Sequence, residues 1–263
     1  MSGPVALLEI KGLTKFFGGL RAVHNFTVDI EKGELVGLIG PNGAGKTTVF
    51  NMITGMLPPS QGSVVFAGRN LVGLPPYRIL RAGIARTFQN IRLFAGTTVL
   101  NNVLTPLTYR IGYSLADAAA QTPRYLQQED EARAYARELL KTLGLEGREE
   151  ELARNLPYGM QRRLEIARAL ASRPRLLLLD EPAAGMNPAE VASMVQLIRD
   201  IKDRFDLTVF LIEHQMGMVM NLCPRILVMD FGEIIAEGSP AEIQSNERVL
   251  EAYLGRRGFA AAG

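Results

Sequence analysis

The chain has 263 residues, of which 47% are hydrophobic and 21% are charged, and its net charge is +2. These values are typical of a globular protein, and so small a net charge argues against a nucleic acid partner. Cys223 is the only cysteine, which excludes an internal disulfide and predicts a reducing, intracellular compartment. The first residues lack a signal-peptide pattern, and the longest aliphatic run, "LLLL" at 176–179, is too short to span a bilayer.

Segments typical of strands and of helices alternate along the chain. Strand patterns fall at 34–40, 63–70, 175–182, 207–214 and 225–238, the last being two strands around a turn. Helix patterns fall at 46–55 and 188–204, and the charged, alanine-rich stretch 100–156 is also predicted to be helical. Thr122 followed by Pro123 is typical of a helix N-cap and first helical position. The alternation predicts an α/β core interrupted by a helical insertion.

The stretch "GPNGAGKTT" lies between a predicted strand and a predicted helix and matches the phosphate-binding pattern G-x-x-x-x-G-K-[ST]. Glycines let such a loop wrap a phosphate with backbone N–H groups, and the helix N-terminus adds a positive dipole. Lys46 is expected to reach the β- and γ-phosphates of a nucleoside triphosphate, and the Thr47 hydroxyl is expected to bind Mg²⁺. The predicted phosphate-binding residues are Gly40, Pro41, Asn42, Gly43, Ala44, Gly45, Lys46, Thr47 and Thr48.

Polar residues end two further strand patterns. Asp180 stands at the carboxyl end of "LLLLD", where α/β sheets gather their ligands, and Glu181 follows it directly. We expect Asp180 to bind Mg²⁺ through water and Glu181 to orient or deprotonate the attacking water. His214 ends the strand pattern "LTVFLIEH" and is predicted to lie at the same edge of the sheet.

Two other nucleotide-binding classes, the kinases and the GTPases, lack their required motifs in this sequence. The stretch "DFG" at 230–232 occurs in kinases, but here it lies in a predicted hairpin turn and no H-R-D sequence is present. A GTPase would need N-K-x-D, which is also absent from the sequence. Both classes are therefore excluded.

Several features occur in a fixed order along the chain: the phosphate-binding loop, the glutamine of "RTFQN", a helical insertion, "LPYGMQRR", "LLLLDEP" and a distal histidine. The series resembles the ATP-binding cassette (ABC) family over about residues 7 to 254. The resemblance implies an α/β P-loop ATPase with a RecA-like sheet, an N-terminal antiparallel β subdomain and an inserted α-helical subdomain. The implied division is a catalytic core over 7–94 and 171–254, a helical subdomain over 95–170 and a disordered tail over 255–263.

The family resemblance also implies roles for single residues. Phe17 corresponds to the aromatic residue that stacks on adenine, although Phe16 and Phe17 could instead both belong to the core. Gln89 corresponds to the glutamine that senses Mg²⁺, the γ-phosphate and the membrane partner. Glu181 corresponds to the catalytic glutamate and His214 to the switch histidine.

The stretch "LPYGMQRR" stands where the family usually has L-S-G-G-Q, a signature that covers ATP bound to a partner cassette. The predicted ATP contacts of this signature are Tyr158, Gly159 and Met160. Pro157 replaces the usual serine and so lacks both a hydroxyl and an N–H donor, which predicts a weaker ATP site under this signature. Arg162 and Arg163 are interpreted as charges on the helix surface or as partner contacts.

Further segments, "ARTFQNIRLFAGTTVLNNV", "DEPAAGMNP", "LIEHQM" and "EAYLG", resemble the branched-chain amino acid importer (LivG-type) subgroup. This implies an ATPase subunit that powers uptake of branched-chain or related amino acids, with ATP and Mg²⁺ as cofactors. The implied partners are a second ABC ATPase subunit, identical or different, two transmembrane permeases and, indirectly, a solute-binding protein. The implied location is peripheral, at the cytoplasmic face of the inner membrane. Arg92, Leu93 and Phe94 are then candidates to contact a permease.

Other ABC functions share much of this pattern and stay open. They are urea import, lipopolysaccharide export, non-transport ABC ATPases of DNA repair or translation, and a regulatory ATP-binding module without turnover. Repair members carry long coiled-coil insertions, whereas the insertion here has no sustained heptads. Translation members usually carry two cassettes, and this chain has one P-loop. Glu181 argues against a module without turnover.

Overall fold

The computed structural model describes residues 6–110 and 112–259, and the chain divides into two compact units. The first unit is Met1–Arg86 with Arg175–Gly263, and the second is Thr87–Pro174. The predicted helical subdomain, 95–170, falls within the second unit. The predicted tail begins at 255 inside a helix that runs to Phe259, and residues 260–263 lie outside the described residues, so its disorder stays a prediction.

The elements follow one another in the predicted order. The strands are β1 (Ala6–Phe17), β2 (Leu20–Glu31), β3 (Leu35–Ile39), β4 (Gln61–Phe66), β5 (Arg69–Asn70), β6 (Ile84–Arg86), β7 (Leu176–Asp180), β8 (Thr208–Ile212), β9 (Arg225–Asp230) and β10 (Glu233–Gly238). The α-helices are α1 (Lys46–Ile53), α2 (Pro76–Ala82), α3 (Val99–Leu104), α4 (Leu115–Ala119), α5 (Pro123–Thr142), α6 (Tyr158–Ala171), α7 (Pro188–Arg204), α8 (Met216–Leu222), α9 (Pro240–Gln244) and α10 (Glu247–Phe259). Two 3₁₀ turns span Thr105–Arg110 and Ala153–Asn155.

The larger sheet of the first unit has the strand order β10-β9-β3-β8-β7-β6. Its strands pair in parallel except for β10, which pairs antiparallel with β9. Every residue of β3, β7 and β8 is buried, which explains their continuous apolar sequences. The predicted α/β core is therefore confirmed, and the carboxyl ends of its parallel strands meet at one edge.

A second sheet, of order β2-β1-β4-β5, is antiparallel. In β2 buried and exposed residues alternate from Phe26 to Glu31, as expected of a strand with one face on the core and one in water. This sheet is the predicted N-terminal antiparallel β subdomain, which is confirmed.

The hydrophobic core of the first unit joins residues of both sheets and of α1. The rings of Phe50 on α1 and Phe210 on β8 lie 5.1 Å apart and are tilted by 58°. At Gly37 on β3, an added Cβ would lie 2.9 Å from a methyl of Val219 on α8. Dense packing around β3 and α1 thus fixes the two elements that flank the phosphate-binding loop.

The second unit consists mainly of helices α3 to α6, as the helical insertion predicts. The N-cap of α5 is Thr122, whose side chain accepts a hydrogen bond from the Tyr125 N–H, and Pro123 is its first residue. No helix among the described residues has the length and apolar character needed to cross a membrane.

Candidate functional site

The loop between β3 and α1 has a backbone that only glycine can follow at two of its positions. Gly40 has φ 151°, and an added Cβ would lie 1.9 Å from the Met229 carbonyl oxygen. Gly45 has φ 101°, and its added Cβ would lie 2.5 Å from the Ala22 carbonyl oxygen. Gly45 is also the N-cap of α1, where no side chain accepts from the helix and no acidic residue lies in the first turn. The N–H groups of this helix end therefore remain available to an anion.

Lys46 opens α1 and is 7% exposed. Its ammonium donates to the carbonyl oxygens of Gly40 at 2.7 Å and Pro41 at 2.9 Å. Burial lowers the pKa of Lys46, while the charges of Glu181 and Asp180 act in the opposite direction. The structure thus brings the predicted lysine and both predicted carboxylates within electrostatic reach of one another.

Asp180 ends β7 and is buried together with Arg86, which ends β6. The two side chains form an ion pair of 2.7 Å and are 2% and 5% exposed. Arg86 also donates to the Asn51 side chain at 2.7 Å and to the Thr54 hydroxyl at 3.3 Å, and it lies over the Phe50 ring. Arg86 was not among the predicted site residues, because β6, the strand that it ends, has only three residues and was not predicted.

Glu181 adopts a left-handed backbone conformation, with φ 48°, directly after β7. Its N–H donates to the Ile212 carbonyl at 2.9 Å, which fixes the turn to the end of β8. Its carboxylate lies 3.5 Å from the His214 imidazole Nδ1, and the two side chains are 13% and 47% exposed. A non-glycine residue in this conformation is uncommon and is often found at functional sites.

Glu213 is a buried carboxylate that was not among the predicted site residues. One oxygen accepts from the Ala183 N–H at 3.0 Å, and the other accepts from the N–H groups of His214 at 3.0 Å and Gln215 at 3.3 Å. Burial raises the pKa of Glu213, and these N–H groups oppose that shift. Because β8 ends at Ile212, His214 lies just beyond the strand rather than at its last position. The available signal was an acidic residue beside that histidine.

Phe16 and Phe17 end β1 and are 42% and 48% exposed. The alternative interpretation, in which both belong to the core, is therefore wrong. The Lys15 ammonium lies 5.3 Å from the centre of the Phe17 ring. Phe17 thus presents an aromatic surface to the solvent.

The remaining predicted site residues lie in the second unit. Gln89 is exposed in the segment that follows β6. Pro157 is the N-cap of α6 and provides no side-chain cap. Tyr158 is 47% exposed, and Gly159 and Met160 are half-buried in the first turn of α6. The weaker ATP site that Pro157 predicts stays a prediction.

The interpretation of Arg162 as a surface charge is wrong. Its side chain is fully buried and pairs with Glu165, one helical turn further along α6, at 2.8 Å. Carbonyl oxygens of the segment that contains Gln89 accept from its two terminal nitrogens, whereas its Nε–H has no acceptor among the described residues. Arg163 is half-buried and donates to the Leu143 carbonyl at 3.1 Å.

Comparison with known proteins gives matches over most of the chain. The ABC transporter family profile matches residues 23–184, and the profile of the branched-chain amino acid ATP-binding cassette transporter matches residues 233–258. The high-affinity branched-chain amino acid transport ATP-binding protein LivG of Salmonella typhimurium is 44% identical over 255 residues, which are 97% of this chain and 99% of the relative. The corresponding protein BraF of Pseudomonas aeruginosa is 43% identical with the same coverage.

Among solved structures, an ATP-binding cassette of an ABC transporter in its ADP conformation superimposes with a TM-score of 0.83. The two chains are 30% identical, and the match covers 96% of this chain and all of the other.

Proposed function

Because the chain belongs to the ABC transporter family of ATP-binding cassettes, we propose that it is the ATP-hydrolysing subunit of an importer for branched-chain or related amino acids. The observation that carries the proposal is the convergence of Lys46, Asp180 and Glu181 beside a glycine-rich loop and an uncapped helix end. The branched-chain profile at 233–258 favours this subgroup over urea import and lipopolysaccharide export.

The loop from Gly40 to Thr48 would hold the phosphates of ATP. Its first helical N–H groups have no capping side chain, so a phosphate oxygen would fill the place of a cap. The Lys46 ammonium now donates to two carbonyl oxygens of the loop, and phosphate oxygens would be stronger, charged acceptors. Phe17 would offer its exposed ring to the adenine.

The oxygen donors of the first unit fit Mg²⁺, which would screen the charge of the transferred phosphoryl group. Thr47 is exposed in the first turn of α1, and Asp180 ends β7, which is separated from β3 in the sheet by β8. We assign Thr47 as a direct ligand and Asp180 as a ligand through water. The assignments of Gln89, Tyr158, Gly159 and Met160 rest on the family resemblance alone and stay predictions.

Glu181 is the group best placed to act on water. Its carboxylate is mostly buried, and its backbone is held to the end of β8, so its position is defined before substrate binds. In this proposal Glu181 orients the water or takes its proton as the water attacks the γ-phosphoryl group. His214, whose Nδ1 lies 3.5 Å from the Glu181 carboxylate, would fix the position of that carboxylate relative to the phosphoryl group.

The proposed assembly contains a second ABC ATPase subunit and two permeases, with a solute-binding protein acting through the permeases. This places the chain at the cytoplasmic face of the inner membrane as a peripheral subunit. Exposed Arg92 and Phe94, with half-buried Leu93 between them, are proposed to contact a permease.

Reconstitution tests the proposal. The chain is purified with the permeases and the second ATPase that copurify with it, and the complex is placed in proteoliposomes with its solute-binding protein. ATP-dependent uptake of labelled leucine is expected, and it should stop in the Glu181→Gln variant. Recovery of ribosomes or DNA instead of permeases would point to a non-transport ABC ATPase and would contradict the proposal.

A further inference from the structure

Helix α6, which follows the signature, buries a charged pair inside the second unit. The Arg162 guanidinium lies 2.8 Å from the Glu165 carboxylate, and the two side chains are 0% and 1% exposed. Burial raises the pKa of Glu165, and the Arg162 charge opposes that shift. Replacing such a pair by apolar side chains of similar volume often leaves a fold equally stable, so stability alone does not explain it.

Four further hydrogen bonds of the pair go to the backbone around Gln89. Arg162 donates to the Phe88 carbonyl at 2.6 Å and to the Gln89 carbonyl at 2.7 Å. The second carboxylate oxygen of Glu165 accepts from the N–H groups of Phe88 at 3.3 Å and Arg92 at 3.4 Å. The pair therefore holds both donors and acceptors of one short segment, which fixes its position and its orientation.

The same guanidinium also reaches the signature. Its Nη2 donates to the Tyr158 hydroxyl at 3.2 Å, and Tyr158 is the first residue of α6. One buried arginine thus contacts the Gln89 backbone and the start of the signature helix. These contacts lie entirely within the second unit.

We propose that Arg162 and Glu165 are positioning residues, which fix the Gln89 backbone to α6 so that Gln89 and the signature keep one mutual geometry. The catalytic consequence rests on the proposed function. If Gln89 takes part in binding Mg²⁺, the position of its Cα must be fixed, and the hydrogen bonds of the pair to the backbone around Gln89 fix it. A charged pair suits this task because its bonds to the segment are strong and directional.

Hydrogen exchange of the full chain tests the positional part directly. The double variant Arg162→Met/Glu165→Leu removes the pair without leaving an unpaired buried charge. Exchange at the Phe88 and Arg92 N–H groups is expected to become about 10- to 100-fold faster, the size of a lost hydrogen bond to a charged group. The matched control is Arg163→Met on the same helix, whose side chain donates to Leu143, and it should leave both rates unchanged.

Arg162→Lys provides a variant with a milder effect on folding, because it keeps a positive charge beside Glu165. A lysine has a single ammonium and cannot reproduce the fork that serves the Phe88 and Gln89 carbonyls. Faster exchange at Phe88 and Arg92, with α6 itself still protected, supports the proposal. Unchanged exchange in both variants overturns it.

The Mg²⁺ dependence of ATP hydrolysis by the purified transporter complex tests the proposed catalytic consequence of the pair. The Mg²⁺ concentration for half-maximal activity is expected to rise by about 10- to 100-fold in the double variant, as when an outer partner of a metal ligand is lost. ADP binding without Mg²⁺ should not change. In a Gln89→Ala background the double variant should add nothing further, because both changes act through one side chain. Additive effects would overturn the positioning role, whereas a wild-type transporter complex without hydrolysis would contradict the proposed function and leave the exchange result standing.

Discussion

Arg86 and Asp180 form a buried ion pair of 2.7 Å that joins the carboxyl ends of two neighbouring parallel strands. Since the partner of a buried charge cannot be replaced by water, the pair is expected to matter for folding as well as for the site. Arg86→Met should lower the free energy of unfolding by about 3–5 kcal/mol, because it leaves the Asp180 carboxylate buried without its cation. Urea denaturation measures this change.

The exposed pair of Arg21 and Glu233 supplies the control for that measurement. Its side chains are 46% and 49% exposed at a separation of 3.0 Å, so Arg21→Met should cost less than about 1 kcal/mol. Combining Arg86→Met with Asp180→Asn removes both charges and should be less destabilising than Arg86→Met alone. Equal losses for Arg21→Met and Arg86→Met would show that the buried pair has no special role.

Glu181→Gln tests the proposed general base. The amide keeps the size of the side chain but cannot accept the proton of water, so hydrolysis should slow by about 10²–10⁴-fold. ATP binding should persist, because the phosphate-binding loop is unchanged. Single-turnover hydrolysis and equilibrium binding of a fluorescent ATP analogue separate the two effects, with Glu233→Gln as an exposed control. Near-normal turnover would remove Glu181 from the assignment.

Glu213 is expected to act through its neighbours. Its carboxylate ties the backbone after Glu181 to the backbone of His214 and Gln215 by three hydrogen bonds. Glu213→Gln turns an NH₂ group towards N–H donors. The segment that contains Ala183 and the segment that contains His214 and Gln215 should then lose their fixed relative position. We expect kcat to fall by about 10- to 100-fold with little change in KM, the usual cost of losing an outer partner at an active site. A matching rise in KM would show a binding defect instead.

The sequence predicted those parts of the fold that depend on local patterns. The continuous apolar runs of β3, β7 and β8 identified buried strands, and the start and end of α7 at Pro188 and Arg204 agree with the helix pattern. The phosphate-binding loop was predictable because its glycines and its lysine form one contiguous pattern, although the contacts that require Gly40 and Gly45 are made with Met229 on β9 and Ala22 on β2. The antiparallel sheet came only from the family resemblance, although residues Phe26 to Glu31 of β2 alternate between apolar and polar, as a half-buried strand does.

The missed residues share a physical cause. The fold buries the charged side chains of Arg86, Arg162, Glu165 and Glu213, and each has at least one partner that is distant in sequence. A single sequence indicates which side chains are charged but not which tertiary partners they have, so each of these four residues would be expected to lie at the surface. The burial of Arg162 depends on carbonyl oxygens more than 70 positions earlier in the chain, a relation that no helical spacing reveals.

Gly45 should tolerate no side chain. An added Cβ would lie 2.5 Å from the Ala22 carbonyl oxygen, in addition to the cost of the left-handed backbone at φ 101°. Gly45→Ala should therefore abolish ATP binding and lower the thermal midpoint. Gly68→Ala is the matched control, because Gly68 has φ 78° but an added Cβ meets nothing within 4 Å. The control isolates the backbone cost, about 1–2 kcal/mol, from the clash.

Tyr253 on α10 is expected to lose its phenol proton at a higher pH than an ordinary tyrosine in an alkaline titration. Partial burial raises the pKa of Tyr253 to about 12, although the residue is still 37% exposed and the Gly40 backbone donates a hydrogen bond that opposes the shift. Tyr113 gives a second late step, because its hydroxyl donates to Glu129 at 2.7 Å and the bond raises its pKa to about 12. Absorbance at 295 nm should show both steps, and Tyr113→Phe and Tyr253→Phe should each remove one.

The direction of the associated stability change follows from the sign of the Tyr253 shift. The folded chain holds the phenol proton up to about pH 12, whereas the unfolded chain releases it near the ordinary pKa of about 10. Stability from this group is therefore complete below pH 10 and is lost as the pH rises from about 10 to about 12. Tyr253→Phe should flatten the dependence of the urea midpoint on pH across this window. An unchanged slope in that variant would show that Tyr253 titrates alike in the folded and unfolded chain.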